Sequence, residues 1–411
     1  MNFRRWADGA LIGVTDTSPA FTARYGAPYN VVHRAHLHAA LHQQAEALGV
    51  RLRLNSKVDA YDVENAAITL ADGTVFSGDL VVAADGVKSL ARALVAPNGQ
   101  GAPQPTGFAV YRATVDVEKM RACPELSWIL DEHNLNLWIG EDRHVMTYSI
   151  AGGRSFNMVL SHRDKGDPAQ FRHEEDILGD MRREFDGWDP QLTHIISLVT
   201  KALKTPLTSG TAPLPTWLAP SSKLVLLGDA AHAMLPYMSQ GAAMAVEDGA
   251  ALAVALSKLT RPALAGIESA SASASASEFE SVSSPASSHH THQQLRFALH
   301  LFQQERIRRT SMMQEASLVN SMIWHFADGL LQRARDEAMK GEVQVTTATA
   351  AAAAAPAGQK GAAAPTTPWT SPNQWSDPVT QNWAYGYDAE KAMEEAWERG
   401  ASVREVLVGQ W

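Results

Sequence analysis

Runs of apolar residues and helical periodicities alternate along the first part of the chain. Two short continuous runs, at 79–84 and 224–227, are typical of strands that are buried on both faces. Apolar residues recur at helical spacing over 37–48, and residues 58–76 predict a hairpin with an Asp-Gly turn. The short stretch 50–54 predicts a further strand. This succession of helices and strands is typical of an α/β fold.

A different pattern occupies residues 107–218, where polar and apolar positions alternate with the period of a half-buried strand. The alternation predicts strands at 108–115, 135–139, 144–150 and 155–160. Helical patterns follow at 174–185 and 189–200. These segments predict a mainly antiparallel sheet that is inserted between two parts of an α/β domain.

The apolar run 224–227 ends at Gly228 and Asp229, and an Ala-rich helix is predicted from Gly241 to about residue 259. A glycine lets the backbone pass close to a ligand, and the carboxylate after it can accept hydrogen bonds from hydroxyl groups. The free amides and the positive dipole end at a helix start favour an anionic group. The segment therefore predicts a ligand site between a strand and a helix.

Changes in composition give the predicted boundaries. Ser-Ala alternation marks a low-complexity insertion at 261–292, and an Ala/Pro/Thr tract marks a disordered linker at 346–370. The other predicted segments are the first part of the α/β domain (1–106), the inserted sheet domain (107–218), the α/β domain continued (219–260), C-terminal helices (293–345) and a tail with aromatic anchors (371–411).

Composition also limits the classes of function. The 411 residues suffice for two domains, and the formal net charge of −9 argues against nucleic acid as a partner. The single cysteine, Cys123, excludes a disulfide framework and predicts no thiolate metal site. No apolar run approaches the ~20 residues that span a bilayer, and the N-terminus lacks the apolar core of a signal peptide. We therefore expect a cytoplasmic protein without a membrane segment.

The strand–loop–helix segment carries a family resemblance. Its residues Gly228, Asp229, Pro236, Gly241 and Ala242 resemble the second flavin-binding motif of single-component FAD-dependent aromatic monooxygenases, the relatives of para-hydroxybenzoate and salicylate hydroxylases. The resemblance implies that Asp229 binds the ribityl chain of FAD, and that the amides of Gly241 and Ala242 lie against the pyrimidine edge of the flavin. It implies an FAD-binding Rossmann-like domain with an inserted substrate domain. A strand–loop–helix unit of any α/β protein is the alternative.

Two more segments extend the resemblance. Asp85 and Gly86 follow an apolar strand and precede a Ser and an Arg, as in the family's Asp-Gly motif near the pyrophosphate and the nicotinamide nucleotide. Arg34 begins a predicted helix, and in the family an Arg at this place contacts FAD. The forked donors of Arg suit flavin or phosphate oxygens, while a surface ion pair at the helix start is the alternative.

His144 and Tyr148 are the candidate catalytic residues. Alternate residues of a strand point to the same face, so both side chains are predicted on one face of the inserted sheet. A His and a Tyr there could orient and deprotonate a phenol, because imidazole titrates near neutrality. In the branch that contains salicylate and hydroxynicotinate hydroxylases, a His and a Tyr at this spacing line the substrate pocket. An exposed sheet face with ordinary polar residues is the alternative.

The clustered histidines predict no metal site. His38 and His42 lie one helical turn apart, but no carboxylate or cysteine is expected to complete a set of three or four ligands. A solvated helix face is the simpler interpretation.

The family opens with a strand, a G-x-G-x-x-G turn and a helix that hold the FAD pyrophosphate, and the 411 residues contain no such turn. Gly9 and Gly13 do not fit its spacing. The chain therefore resembles a family member whose first βαβ unit, which supplies a central strand, is missing. We expect weak or no FAD binding by this chain alone, and unpaired strand edges with exposed apolar side chains at 79–84 and 224–227.

The resemblance implies an FAD- and NAD(P)H-dependent hydroxylase of a phenolic, salicylate-like substrate. In the family NAD(P)H reduces the flavin, O2 adds to give a flavin hydroperoxide, and the distal oxygen of the hydroperoxide attacks the aromatic ring. One alternative is an epoxidase or hydroxylase that tailors a polyketide or terpenoid. Another is a non-catalytic fragment or a subunit, for which a second chain or a missing N-terminal segment completes the FAD site.

Overall fold

The computed structural model describes residues 1–97, 99, 101–131, 134–164, 174–210, 212–259, 285–354 and 371–408. The chain divides into two compact units. Unit 1 comprises Met1–Leu54, Pro105–Thr208 and Ala316–Gly386, and unit 2 comprises Asn55–Gln104, Ser209–Glu315 and Tyr387–Trp411. Each unit is therefore discontinuous in sequence.

Helices and strands are mixed, as the sequence predicts for this fold class. The strands are β1 (Asn2–Arg5), β2 (Leu11–Val14), β3 (Val58–Asp62), β4 (Ala67–Leu70), β5 (Val75–Ser77), β6 (Val81–Ala83), β7 (Pro103–Asp116), β8 (Asn136–Gly140), β9 (Arg143–Ile150), β10 (Ser155–Arg163), β11 (Ala202–Gly210) and β12 (Leu224–Leu226). The helices are α1 (Ala20–Tyr25), α2 (Arg34–Ala47), α3 (Ala91–Val95), α4 (Val117–Arg121), α5 (Ser127–Asp131), α6 (Glu174–Glu184), α7 (Pro190–Ser197), α8 (Asp229–His232), α9 (Gly241–Ser257), α10 (Pro285–Trp324), α11 (Leu330–Ala354), α12 (Pro378–Tyr385) and α13 (Ala389–Val408).

A seven-stranded sheet, in the order β11-β7-β10-β9-β8-β1-β2, forms the centre of unit 1. Its neighbours run antiparallel from β7 through β10 and β9 to β8, whereas β1 pairs parallel with β8. The predicted strands between 107 and 160 correspond to β7, β8, β9 and β10, so the mainly antiparallel sheet is confirmed.

One face of this sheet packs against helices α6 and α7. Side chains that alternate along the strands, including Trp138, Met158 and Leu160, are fully buried against Phe185 and Ile195 of the helical layer. Burial of this apolar area is the main source of stability for the unit. The residues on the other sheet face are those that alternate with these, and they include His144 and Tyr148.

The first 54 residues lie in unit 1, apart from the rest of the predicted segment 1–106. The prediction assigned 1–106 to the cofactor domain, but β1 and β2 extend the large sheet and residues 1–54 belong to unit 1. The pattern of two four-residue strands does not reveal the partner of β1, which follows in the sequence only at Asn136. The strand predicted at 50–54 is wrong, because these residues pair with no other described strand.

Unit 2 contains a short parallel pair, β12 with β6, and an antiparallel meander of β3, β4 and β5. The predicted hairpin at 58–76 corresponds to this meander. The core lies between the parallel pair and α9 and α10, with Val225, Leu226, Ala251 and Phe302 buried.

The helices near the C-terminus are longer than the composition predicts. Residues 285–292, assigned to the low-complexity insertion, are the start of α10, and residues 346–354, assigned to the linker, are the end of α11. Alanine has the highest helix propensity, so an Ala-rich tract can extend a helix that packing has already begun. The rest of the predicted insertion, 261–284, and of the linker, 355–370, lies outside the described residues.

Within the described residues no helix combines the length and the apolarity that a bilayer crossing requires.

Candidate functional site

The turn after β12 is held by a buried carboxylate. Gly228 has a φ of 62°, which glycine adopts without steric cost, and its amide donates to Asp248 Oδ2 at 3.0 Å. The same oxygen lies 2.7 Å from Nε2 of the buried His232. The turn therefore presents the exposed side chain of Asp229 from a backbone that Asp248 fixes.

Charges from α9 and α10 surround Asp248. Arg306, fully buried, donates from Nε to Asp248 Oδ1 at 2.8 Å and from Nη1 to Glu247 Oε2 at 2.8 Å. Burial alone would raise the pKa of Asp248, but its hydrogen bonds and the charges of His232 and Arg306 outweigh burial and hold that pKa below its usual value. Asp248 therefore remains ionised and can hold the turn at neutral pH.

Arg92 connects the two predicted flavin turns within unit 2. It is buried, and its guanidinium donates at 2.7–3.3 Å to the backbone carbonyls of Gly86, Val87, Asp229 and Ala230. Five donors in a fixed plane make arginine suited to hold several carbonyls in one arrangement. The Asp85–Gly86 turn and the Gly228–Asp229 turn are thus fixed relative to each other.

Asp85 accepts several hydrogen bonds from neighbouring residues of unit 2. Its Oδ2 accepts hydrogen bonds from the amides of Leu90, at 2.9 Å, and Ala91, at 3.4 Å, at the start of α3, and from Tyr61 Oη at 3.2 Å. Burial and the Asp85 charge raise the pKa of Tyr61 to about 12, so the phenol stays a donor. Asp85 therefore shapes the turn, and its predicted contact with FAD remains a prediction.

Helix α9 begins with free donors. Its N-cap residue, Gln240, makes no side-chain hydrogen bond to the first turn, and Gly241 and Ala242 are partly or fully exposed. Three features fit the polyol and pyrimidine parts of FAD. They are the carboxylate of Asp229, the uncapped amides at the start of the 17-residue helix α9, and the open turn at Gly86, where an added Cβ would meet no atom within 4 Å. Pro236 lies in a short 3-10 helix before α9.

Arg34 is placed in unit 1, at the first position of α2, and its side chain is exposed. The ring of His33 caps the helix by accepting from the amide of Ala35 at 3.3 Å. The other predicted flavin residues belong to unit 2. The contact of Arg34 with FAD remains a prediction.

A cavity of about 820 Å³ opens in unit 1 beside the ends of β1, β2 and β9. This volume suits a small organic ligand. The lining residues that carry hydrogen-bonding or charged groups include Tyr148, Tyr29, Arg4, Asp16, Asn2 and Ser149. Among the described lining residues, Asp16 is the only carboxylate and Arg4 the only strong base.

Tyr148 lines the cavity, and its role toward a substrate remains a prediction. Burial raises the pKa of the Tyr148 phenol above its usual value, against the positive charge of Arg112, so the hydroxyl is a neutral donor at physiological pH. Asn157 is its direct partner on β10 and therefore points to the same face. The buried Nδ2 of Asn157 makes no hydrogen bond with another described residue, and Asn157 is not among the residues that line the cavity.

His144 has a different environment from Tyr148, and its predicted role in the substrate pocket remains a prediction. His144 is buried and does not line the cavity. Its Nδ1 lies 2.8 Å from Nε2 of His325, and the two rings stack at 5.1 Å. Burial, and then the His325 charge, lower the pKa of His144 well below its usual value, so it stays neutral. The sequence gives no signal for this outcome, because His325 follows 181 residues later.

The structure also gives contacts to residues outside the predicted set of site residues. Asp248 and Arg306 fix the turn at Gly228, and Arg4 and Asp16 line the cavity. Arg92 and Asp248 belong to segments that carry the family resemblance, whereas Arg306 comes from a helix that shows no motif.

Comparisons with known proteins agree with these features. The profile of the FAD binding domain family matches residues 23–276. The FAD-dependent monooxygenase OpS4 of Beauveria bassiana is 33% identical over 369 residues, which are 89% of this chain and 74% of that protein. The 3-hydroxybenzoate 6-hydroxylase of Polaromonas naphthalenivorans is 34% identical over 253 residues, 61% of this chain and 60% of that protein.

Among solved structures, a salicylate hydroxylase in complex with substrate is similar in fold. It has a TM-score of 0.64 at 20% identity, and the match covers 96% of this chain and 81% of the hydroxylase. The two-unit fold, the flavin turns and the sequence matches together show that this chain belongs to the family of FAD-dependent monooxygenases.

Proposed function

We propose that this chain hydroxylates a phenolic aromatic acid, with FAD as cofactor and NAD(P)H and O2 as co-substrates. The observation that carries the proposal is the cavity of unit 1, which Tyr148 lines with a neutral phenol. Arg4 also lines it, and its guanidinium donates to Asn136 Oδ1 at 3.0 Å and to the Gly9 carbonyl at 2.9 Å. The names of related hydroxylases, on hydroxybenzoate and on salicylate, support the same class of substrate.

Bound FAD would supply the redox chemistry that transfers one oxygen atom from O2. The residues of this chain would bind the cofactor and the substrate and orient them. Asp229 would hold the polyol of the cofactor, and the amides of Gly241 and Ala242 would stabilise negative charge at the flavin ring. Tyr148 would donate a hydrogen bond to the substrate phenol oxygen, and Arg4 would attract the carboxylate. Asp16 is the lining group that can accept a proton from the substrate.

A substrate panel tests the proposal. The chain, with excess FAD and NADPH or NADH, would be given hydroxybenzoates and the matching phenols without a carboxylate, and products would be identified by mass spectrometry. We expect hydroxylation of a hydroxybenzoate. Tyr148→Phe should lower kcat/KM about 10- to 100-fold, because a hydrogen bond to an ionised oxygen contributes about 1.5–3 kcal/mol.

Variants of Arg4 and Tyr25 make the test more specific. Arg4→Gln should raise KM for the hydroxybenzoate and leave KM for the phenol unchanged, since only the acid carries the carboxylate. Tyr25→Phe, on α1 and outside the lining residues, is the matched control and should leave both substrates unaffected. Equal effects of Arg4→Gln on both substrates would contradict the role of Arg4.

A further inference from the structure

Three potential metal ligands converge in unit 1, and none of them lines the cavity. Cys123 Sγ lies 3.8 Å from His194 Nε2, and His194 Nδ1 lies 2.9 Å from Glu125 Oε1. One ligand atom from each of the three residues lies within 4.8 Å of the other two. Such a separation is close to the span of a single coordination sphere.

Packed elements hold the three residues. Cys123 follows α4, and Glu125 belongs to a 3-10 helix that also carries the fully buried Leu126. His194 is on α7, next to the fully buried Ile195. Both segments are therefore anchored in the core beneath the cluster.

A side chain of α7 also ties these two segments together. Gln191 donates to the Glu125 carbonyl at 3.4 Å and accepts from the indole of Trp128 at 3.1 Å. Gln191 precedes His194 by one helical turn, so the approach of His194 to Cys123 and Glu125 follows from packing and backbone contacts.

We propose that Cys123, Glu125 and His194 bind one zinc ion, with water in the fourth position. The single cysteine predicted no thiolate metal site, because the sequence does not show that His194 and Glu125 lie beside it. Thiolate sulfur, imidazole nitrogen and carboxylate oxygen are the ligands that zinc takes in proteins, and three protein ligands leave one position open. Tetrahedral zinc, with bonds of ~2.3 Å to sulfur and ~2.1 Å to nitrogen, places these two atoms about 3.6 Å apart. The observed separation of 3.8 Å needs little adjustment.

The remaining adjustment falls on Glu125, which contacts Nδ1 of His194 while the sulfur faces Nε2, so its carboxylate must leave Nδ1 to reach an ion bound at Nε2. The Glu125 side chain is 50% exposed and can rotate toward the ion at little cost. Zinc binding displaces the thiol proton of Cys123 to solvent, so the affinity should rise with pH.

Other histidines of the chain provide the matched control. His42 lies 3.4 Å from Glu46 on α2, so it forms a His–carboxylate pair without a sulfur ligand. His42→Gln should therefore leave zinc binding unchanged. Because surface histidines also bind metal weakly, the decisive signal is one that requires sulfur.

The test uses the full chain, stripped with a chelator and titrated with zinc by calorimetry and with cobalt by absorption spectroscopy. We expect one equivalent of zinc and a thiolate-to-cobalt charge-transfer band. Cys123→Ser should abolish the band and weaken zinc binding at least 100-fold, and Glu125→Gln should weaken it about 10-fold.

A cobalt spectrum without the thiolate band, or zinc affinity that Cys123→Ser leaves unchanged, would show an adventitious ion only and overturn the proposal. Alkylation of Cys123 in the unaltered chain gives a test that needs no variant. Zinc should slow the reaction with iodoacetamide at least tenfold, and an unchanged rate would also overturn the proposal.

Discussion

Arg92 illustrates how one residue fixes two turns that are predicted to bind flavin. Its guanidinium bonds to carbonyls of both flavin turns and does not depend on the cofactor. Burial lowers the pKa of this guanidinium, and the charges of Asp85 and Asp229 partly offset the effect. The residue thus stabilises unit 2 through buried hydrogen bonds.

Arg92→Met should lower the free energy of unfolding of unit 2 by about 2–4 kcal/mol, because buried carbonyls lose their donor. Chemical denaturation, followed by fluorescence, measures the change. Arg399→Met, which removes an exposed arginine of the same unit, should change stability by less than about 0.5 kcal/mol. Equal losses in the two variants would contradict the role of Arg92.

Glu342 gives unit 1 a pH dependence of its own. The side chain is buried on α11, and it accepts hydrogen bonds from the Val14 amide at 2.9 Å and from Ser371 and Asn373. Burial raises its pKa from 4.5 to about 7, and the hydrogen bonds offset only part of the increase.

Stability should therefore fall as pH rises between 4.5 and about 7. In this window the folded state keeps the Glu342 proton while the unfolded state has released it, so the folded state binds more protons. Relative to Glu342→Gln, the free energy of unfolding of the unaltered chain should fall by up to roughly 3 kcal/mol between these two pH values. Thermal unfolding at several pH values measures this difference.

Glu337→Gln is the control for this pH dependence. Glu337 is on the same helix but 72% exposed, and the variant should follow the pH profile of the unaltered chain. If Glu342→Gln follows that profile too, Glu342 does not titrate in this window.

At the scale of elements, the parallel pair β6–β12 is unusual, because parallel strands are normally covered on both faces. Val225 of β12 is 0% exposed, whereas Val82, its direct partner on β6, is 43% exposed. The exposed Val82 agrees with the expectation of an uncovered apolar side chain at 79–84, whereas the same expectation for 224–227 is wrong, because Leu224, Val225 and Leu226 are all buried.

The paired valines allow a matched test with isosteric changes. Val225→Thr should lower the free energy of unfolding by about 1–3 kcal/mol, because it buries a hydroxyl without a partner, while Val82→Thr should change it by less than about 0.5 kcal/mol. Urea denaturation measures both. An equal cost at Val82 would mean that this strand is covered in solution, by a second copy or another chain.

At the scale of the molecule, cofactor affinity is the property to measure first. The flavin turns fit the polyol and the ring of FAD, but the 411 residues contain no glycine-rich turn for the pyrophosphate. We therefore predict that the purified chain carries less than one equivalent of FAD and binds added FAD weakly.

Visible absorption of the purified chain, before and after addition of FAD, tests this prediction. A stoichiometric bound-flavin spectrum after gel filtration would contradict it. Recovery of such a spectrum only after addition of a polypeptide with a G-x-G-x-x-G turn would support the subunit hypothesis.

The sequence by itself determined the parts of the protein that local patterns encode. Period-two alternation predicted β7, β8, β9 and β10, and an apolar run followed by Gly228 and Asp229 predicted the turn after β12. These features depend on neighbouring residues, whose preferences act within a few positions of the chain.

Only the tertiary structure decided which distant residues meet. It moved His144 into the interior beside His325, joined the flavin turns through Arg92, and brought His194 to Cys123. It also placed β1 in the large sheet and continued α11 through an Ala-rich tract. Contacts between residues far apart in sequence depend on packing and burial, which no local periodicity records.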